Sequence, residues 1–539
     1  MYQRLEKIVQ QYGWAVSFSI VLYLFLLFNL IATPLLNSGD DTFLMYTLGG
    51  GYGEGPSNLL HYNHIWHPWL GWIVKSLFDT FPGVNWYNIL LLLFHIAGCT
   101  CILYTLLKRQ KTPIAILLFI IAFFFIETRL LLSLTFTGAA LVAGAGSMCL
   151  LVHQFQQRKA MSRDAVAALL LLLLCGMLRL QIAWMVIVLF ASIAVTIIPR
   201  QQWLSFAASL VIVVVLLFGA NKIHEHYYAS NIPGWKQQEK FRQALFYAYN
   251  KQLVSIPPPG SFKDSTEQQL FFGGFLYDSV KFNTERIKEI GEKITRNRRL
   301  TNKDDQQGLY WFFIEMRVYI LLFAVVILLL LTQRNFLPVR NWLLSFLAFL
   351  AVHCYLFIFQ KITTPIHLGL LLFLWLALAM QLKKESPIYG RLKSIIPTGI
   401  MLLALSCWMA IRLIKENSEN QERYQRFLCA TKELNLQADH LFIATDDAFP
   451  LNYFYIWNTP KDYPAANLLY KDRLITHSYF NTLNRFSITN LEEALVNNKK
   501  VLLVGKNLPA LENGKQPARL SAPFPVYKCL EVRQLNAHP

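Results

Sequence analysis

The chain has 539 residues, 55% of them hydrophobic and 15% charged, with a mean hydropathy of +0.36. The apolar residues form long unbroken blocks, a pattern that argues against a soluble globular enzyme. The formal net charge of +18 would suggest nucleic acid in a soluble protein. Here Lys and Arg sit between apolar blocks, where they set topology and meet anionic lipid headgroups, so no nucleic-acid partner is expected.

Runs of about 18 or more apolar residues read as membrane-spanning helices, because about 20 residues at 1.5 Å rise cross the hydrocarbon core. A helix also satisfies its own backbone hydrogen bonds there. The first block starts near Trp14 and has no small-x-small cleavage site before Asn37. It reads as a retained helix rather than a signal peptide. In chain order the pattern predicts about eleven helices. They lie near 14–35, 87–107, 113–130, 132–153, 165–179, 181–198, 203–220, 312–332, 342–360, 364–382 and 396–414. The block 165–198 reads equally as one long helix or as two that turn near Arg179 and Gln181.

Short basic segments should orient the bundle. Arg4 and Lys7, then Lys108, Arg109 and Lys111, then Arg158, Lys159 and Arg163 fall on one side. Arg200, Arg334 and Arg340, and finally Lys383, Lys384, Arg391 and Lys393 join them. The positive-inside rule makes that side cytoplasmic. The expected fold class is thus an α-helical polytopic membrane bundle over residues 1–414, with a cytoplasmic N-terminus. Loops 36–86 and 221–311 and the tail 415–539 then face outward. A bacterial inner membrane is favoured over the endoplasmic reticulum, since no retention signal is evident.

The tail reads as a small extracytoplasmic α/β domain. His440 to Thr445 and Lys500 to Gly505 have the pattern of short buried strands, and Asn490 to Asn498 that of a helix. No internal repeat or low-complexity segment is evident. Cys99, Cys101, Cys149, Cys175, Cys354 and Cys407 lie in apolar runs and read as small hydrophobes. Cys429 and Cys529 lie in the polar tail and can pair if it faces an oxidising compartment.

The first outward loop carries the chemistry. It begins Asn37-Ser38-Gly39-Asp40-Asp41 and continues His61-Tyr62-Asn63-His64-Ile65-Trp66-His67-Pro68-Trp69-Leu70-Gly71-Trp72. Two adjacent carboxylates just past a membrane helix can stay partly desolvated, and the closeness of the second raises the pKa of one member. That suits a general base for an acceptor hydroxyl or amine, or a divalent metal site of Asp40 and Asp41 binding lipid phosphate. Solvated acids in a helix-end turn are the structural alternative. His61, His64 and His67 recur at i, i+3, i+6, so two can share a metal or contact substrate. The neighbouring Tyr and Trp residues equally suit interfacial packing.

With these residues in place, the loop resembles the GT-C superfamily of membrane glycosyltransferases. The shared order is a first helix, an acidic pair (Asp40-Asp41) and a His-Pro-x-Leu-like segment (His67-Pro68-Trp69-Leu70). Members include the protein O-mannosyltransferases and the lipid A aminoarabinose transferase. The motif covers about residues 37–72, the helix order most of the chain. The resemblance implies a polyprenyl-phosphate sugar donor, an extracytoplasmic glycan, lipid or protein acceptor, and an acceptor role for the tail. Family members often carry Asp-Glu or a lone Asp here, which leaves open which acid acts. Asp40 is the first candidate, being nearer the helix end, and Asp41 the second candidate or a metal ligand. Any metal would be Mg or Mn rather than Zn.

Donor phosphate calls for cations at the same membrane face. Arg129, Arg179, Arg317 and Lys361 are placed there, and Arg suits phosphate through its planar fork. Salt bridging and snorkelling are the bland readings. Glu127 and Glu315 lie near Arg129 and Arg317 in sequence, but i, i+2 residues point apart on a helix. Lys361 opens a Pro-broken junction that runs to His367, a further substrate-binding candidate. Thr445-Asp446-Asp447 follows a predicted strand and reads mainly as a turn.

Two rival functions remain. A lipid-linked glycan polymerase or ligase would depend on arginines of the outward loops rather than on the acid pair. A transporter or lipid flippase should show repeats and midplane charges. The ionisable residues gather instead at helix ends.

Overall fold

The computed structural model describes residues 6, 9, 11–36, 38–51, 53–59, 66–159, 162–252, 260–263, 267–268, 271, 282–296, 316–327, 336–359, 363–382, 392–444, 453–463, 466–470, 477–489, 491–504 and short strands within 512–536. His61, His64, Lys361 and the Asp446-Asp447 pair lie outside the described residues.

The first half of the chain contains α1 (Gly13–Ile31), β1 (Leu35–Leu36), α2 (Gly39–Gly49), α3 (Pro68–Thr80), α4 (Trp86–Arg109) and α5 (Thr112–Leu132). Next come β2 (Ser133–Leu134), α6 (Phe136–Gln156), α7 (Arg163–Leu178), α8 (Leu180–Ile197) and α9 (Trp203–Asn231). The second half adds α10 (Trp235–Gln252), α11 (Thr284–Arg296), α12 (Met316–Ile327), α13 (Phe336–Phe359), α14 (Thr364–Gln381) and α15 (Leu392–Asn435). Each of the eleven predicted segments contains described helix. Among the described residues, seven helices are long and apolar enough to cross a membrane: α1, α4, α5, α6, α8, α9 and α14. The chain is a multi-pass helical membrane protein by this measure.

The helix α6 lies at the centre of the bundle, its whole apolar stretch buried. Its side chains are small, including Gly138, Ala139, Ala140, Ala143, Gly144 and Gly146. Small residues let backbones approach where lipid removes the hydrophobic drive between helices. The closest approach is to α4, where a Cβ on Gly98 would lie 2.8 Å from the Ala143 backbone nitrogen. The α7–α8 block is two helices, broken where Arg179 turns extended (φ −156°, ψ 101°). Within α5, residues Phe123–Glu127 form a π-helical turn.

A second, smaller core lies at one end of the bundle. Strands β3 (Leu441–Ala444), β4 (Leu468–Tyr470) and β5 (Val501–Val504) make a sheet of order β4-β3-β5, parallel throughout, and β6 (Val532–Arg533) adds antiparallel to β5. Successive side chains on a strand point to opposite faces. Leu441, Ile443, Leu469, Val501 and Leu503 share one buried cluster with Leu245 of α10 and Ile287 and Ile290 of α11. Phe442, Ala444, Leu502 and Val504 instead join the cluster that contains Phe427, Ala430 and Leu434 of α15. Two parts of the chain far apart in sequence, the helices α10 and α11 and the strands of the tail, therefore build this domain together. The link to the bundle is α15 itself, which passes residue 414 without interruption and ends at Asn435. Cys429, on this helix, is disulfide-bonded, and its expected partner Cys529 lies outside the described residues. Cys99, Cys101, Cys149, Cys175, Cys354 and Cys407 are free.

A strap over residues 453–459 ties the tail to the bundle. Leu36 N–H donates to the Phe454 carbonyl at 3.0 Å, and Ile456 N–H to the Pro34 carbonyl at 3.3 Å. From the start of α4, Asn85 donates its Nδ2 to the Asn458 carbonyl at 2.6 Å and Asn88 to the Ile456 carbonyl at 2.8 Å.

Candidate functional site

The acid pair opens α2. Ser38 is its N-cap, in extended conformation, and its Oγ accepts the Asp41 N–H at 3.0 Å. Carboxylates in a first helical turn complement the helix dipole. The two acids then diverge. Asp40 is half-buried, whereas Asp41 is fully enclosed. Asp41 Oδ1 accepts the Tyr87 hydroxyl of α4 at 2.6 Å and the Phe136 N–H of α6 at 2.8 Å. Its Oδ2 accepts the Ser38 hydroxyl. Burial raises the Asp41 pKa from 3.8 to about 7, against the lowering effect of these three hydrogen bonds, and the Asp40 charge adds a smaller push in the same direction as burial.

The parallel pairing of Leu35 and Leu36 with Ser133 and Leu134 brings the start of α6 beside α2. The loop before α3 closes the site from the other side. Trp66 takes a left-handed conformation (φ 57°) and stacks on Tyr87, with ring centroids 4.8 Å apart. Its backbone N–H donates to the Leu178 carbonyl at 3.1 Å, and the backbone N–H of His67 to the Met177 carbonyl at 2.8 Å. These carbonyls at the end of α7 have no continuing helical turn, so the loop completes the helix C-terminus. The next residue is Arg179. Its guanidinium donates to Thr137 Oγ1, lies 5.1 Å from the centroid of the Phe136 ring, and is within electrostatic reach of both Asp40 and Asp41. Of the four cations predicted for donor phosphate, Arg179 is the one brought to the acid pair among the described residues.

His67 caps α3, where its Nδ1 accepts the Trp69 N–H at 3.3 Å. Its Nε2 lies 2.8 Å from the Ala220 carbonyl. A carbonyl only accepts, so Nε2 carries the proton and the ring is neutral, an assignment made from the hydrogen-bond pattern. Burial also lowers the His67 pKa. Both ring nitrogens are thus engaged in fixing the loop.

The remaining predicted residues lie elsewhere. Arg129 is buried at a second cluster, where its Nη2 lies 3.0 Å from Glu416 Oε1 of α15 and its Nη1 donates to the Tyr319 hydroxyl at 3.1 Å. Arg412 also reaches Glu416, at 3.0 Å. Glu127 does not pair with Arg129, in keeping with the divergence of i, i+2 positions. Its Oε1 instead lies 2.6 Å from His95 Nδ1 inside the bundle. Arg317 is exposed and sits over the Trp408 ring, 4.7 Å from its centroid. His367, in the first turn of α14, has its ring centroid 5.2 Å from that of His353.

A divalent metal at Asp41 would compete with the three protein donors that its oxygens already accept. Among the described residues no group of three His, Cys, Asp or Glu side chains could hold a metal ion. Sequence reasoning missed Ser38, Tyr87 and the Phe136 N–H. Ser38 carried a signal, as a Ser three residues before an acid at a helix start is a capping pattern. Tyr87 and Phe136 carried none, since only the packing of α2, α4 and α6 makes them neighbours. His95 and Glu127 had the general signal of ionisable residues in apolar runs.

Compared with known family models, curated proteins and solved structures, the chain matches none.

Proposed function

We propose that this protein is a membrane glycosyltransferase of GT-C type that moves a sugar from a polyprenyl-phosphate donor to a glycan, lipid or protein acceptor. The observation that carries the reading is the half-buried Asp40 at the N-terminus of α2, placed with Arg179 at the end of the bundle that bears the tail domain. Both groups suit the reaction. The acceptor oxygen forms a bond to the anomeric carbon while the bond from that carbon to the phosphate oxygen breaks. The acceptor proton passes to Asp40 as general base. The lipid phosphate leaves with the bonding electrons, and Arg179 offers its charge to the growing negative charge. Asp41 positions this machinery: its hydrogen bonds to Tyr87 and Phe136 hold α2 against α4 and α6, and that to Ser38 fixes the helix start.

In this reading eleven helices cross a bacterial inner membrane. The N-terminus is cytoplasmic, and the tail domain is extracytoplasmic and meets the acceptor. The test is transfer of radiolabelled sugar from polyprenyl-phosphate donors by the purified protein in nanodiscs. Asp40→Asn should abolish transfer while the protein stays folded, and Arg179→Gln should reduce it at least 100-fold, the order expected when a transition-state charge partner is lost. Transfer that persists in Asp40→Asn would remove the acid from the mechanism and favour a polymerase that works through arginines.

A further inference from the structure

A polar cavity of about 610 Å³ opens between the end of α1, the extension of α15 beyond the bundle, and the strap. Small-molecule sites occupy roughly 300–1,000 Å³. Its floor is one face of α15, where Ser418, Gln421, Glu422 and Gln425 recur at i, i+3, i+4, i+7. Tyr424 and Tyr455 form a wall, their ring centroids 5.4 Å apart and tilted by 45°. Glu422 is paired with Arg426 at 2.5 Å, so the lining presents no unbalanced charge.

We propose that this cavity binds an uncharged oligosaccharide, and that it is the acceptor subsite of the transfer reaction. The chemistry of the lining points to a sugar. A pyranose has an apolar C–H face and a rim of hydroxyls. The Tyr455 and Tyr424 rings offer flat apolar surface with a polar edge. The amides of Gln421 and Gln425 each offer donors and an acceptor, matching hydroxyls that do both. Phosphate or an acidic glycan would call for unpaired cations, and the lining has none among the described residues.

Position supports the same assignment. Thr33 lines the cavity, and its chain runs directly into Leu35 and Leu36 and on to the acid pair. Tyr455 bridges to Leu35 through backbone pairing. The groove wall and the catalytic loop are therefore parts of one hydrogen-bonded ribbon, so an occupant here is held by the segment that carries Asp40. The assignment as acceptor subsite rests on the glycosyltransferase reading, whereas the assignment as a sugar site does not.

The experiment is saturation-transfer NMR on the full chain in nanodiscs, with mannotriose, maltotriose, chitotriose and a hyaluronan tetrasaccharide as probes. At least one neutral trisaccharide should receive saturation at its ring C–H protons. Its affinity should fall about five-fold in Gln421→Ala and in Gln425→Ala, the order expected for one hydrogen bond each. Tyr455→Phe keeps the ring face and should retain binding, which guards against a strap that merely unfolds. No saturation of any neutral probe, equal binding by wild type and both Gln variants, or preference for the acidic probe would each overturn the proposal. Binding that responds to the variants in a protein showing no sugar transfer would keep the sugar site and reject the transferase reading.

Discussion

The Tyr87 hydroxyl donates to Asp41 Oδ1 at 2.6 Å, a contact between residues 46 apart in the chain. Through it the first loop is fastened to the bundle, since the same oxygen accepts the Phe136 N–H of α6. Replacing Tyr87 by Phe would leave the ring stacked on Trp66 but remove one donor from an enclosed carboxylate. The expected loss is about 1–3 kcal/mol of stability. Thermal unfolding of the purified variant in detergent would measure it, and an unchanged midpoint would contradict the contact.

Asp41 should make stability depend on pH. Its pKa in the folded protein is about 7, against an ordinary value of 3.8. Between these values the folded state binds more protons than the unfolded state, so stability falls as pH rises. The contribution is fully present below the unfolded value, declines from near pH 4 to pH 7, and is lost above that. Its size is roughly 4 kcal/mol at about 1.4 kcal/mol per pH unit. Asp41→Asn is isosteric: its Oδ1 can accept from Tyr87 and Phe136, and its Nδ2 can donate to the Ser38 oxygen. The variant should lose the slope, match or exceed wild type above pH 7, and keep measurable transfer. Parallel slopes in melting curves from pH 4 to 8 would show that Asp41 does not titrate in this window.

The Arg129–Glu416 pair predicts an asymmetry. Side-chain exposure is 7% for Arg129 and 27% for Glu416. Glu416 keeps Arg412 when Arg129 is lost. Glu416→Ala takes a charged partner from the more buried member and Arg129→Met takes one from the more exposed member, so Glu416→Ala should cost more, by about 1–3 kcal/mol. Unfolding of both variants in the same detergent decides the order.

His95 and Glu127 are the most deeply enclosed ionisable pair described, with exposures of 0% and 4%. Gln in place of Glu127 still offers an oxygen to His95 Nδ1–H and should cost about 1 kcal/mol. Leu at the same position strands the imidazole and should cost several kcal/mol, approaching the roughly 3–5 kcal/mol seen when buried pairs are broken. Equal destabilisation by the two substitutions would mean that the pair acts through charge rather than through the hydrogen bond.

Gly98 cannot accept a side chain. An added Cβ would press on the Val142 and Ala143 backbone of α6, and a Cβ added at Gly146 would press on the Gly98 backbone. Backbone cannot swing away as a side-chain tip can. Gly98→Val should fail to yield folded protein, while Val at Gly219, whose Cβ would meet nothing within 4 Å, should be tolerated. Size-exclusion profiles of the two variants provide the comparison.

The long apolar helices and the multi-pass class were legible from the sequence alone, whereas α2, α3 and the extension of α15 beyond residue 414 were not. Hydrophobic length is a local, additive property, so a run such as that from Leu90 to Leu107 declares a span without reference to anything else. The acid pair was legible for a similar reason, as was the short β pattern near Leu441 and Val501. What the local pattern left open was decided by packing. It ranked Asp40 before Asp41 by position alone, and the approach of Tyr87 and Phe136 enclosed Asp41 and left Asp40 half-open. It offered four cations for one role, and the break between α7 and α8 brought Arg179 to the acids while Glu416, 287 residues along the chain, took Arg129. It treated segment 221–311 and the tail separately, and Ile287 and Ile443 turned out to share a core. Burial, pairing and pKa depend on which distant groups meet, and that is a property of the folded chain, with no signature in the neighbourhood of any one residue.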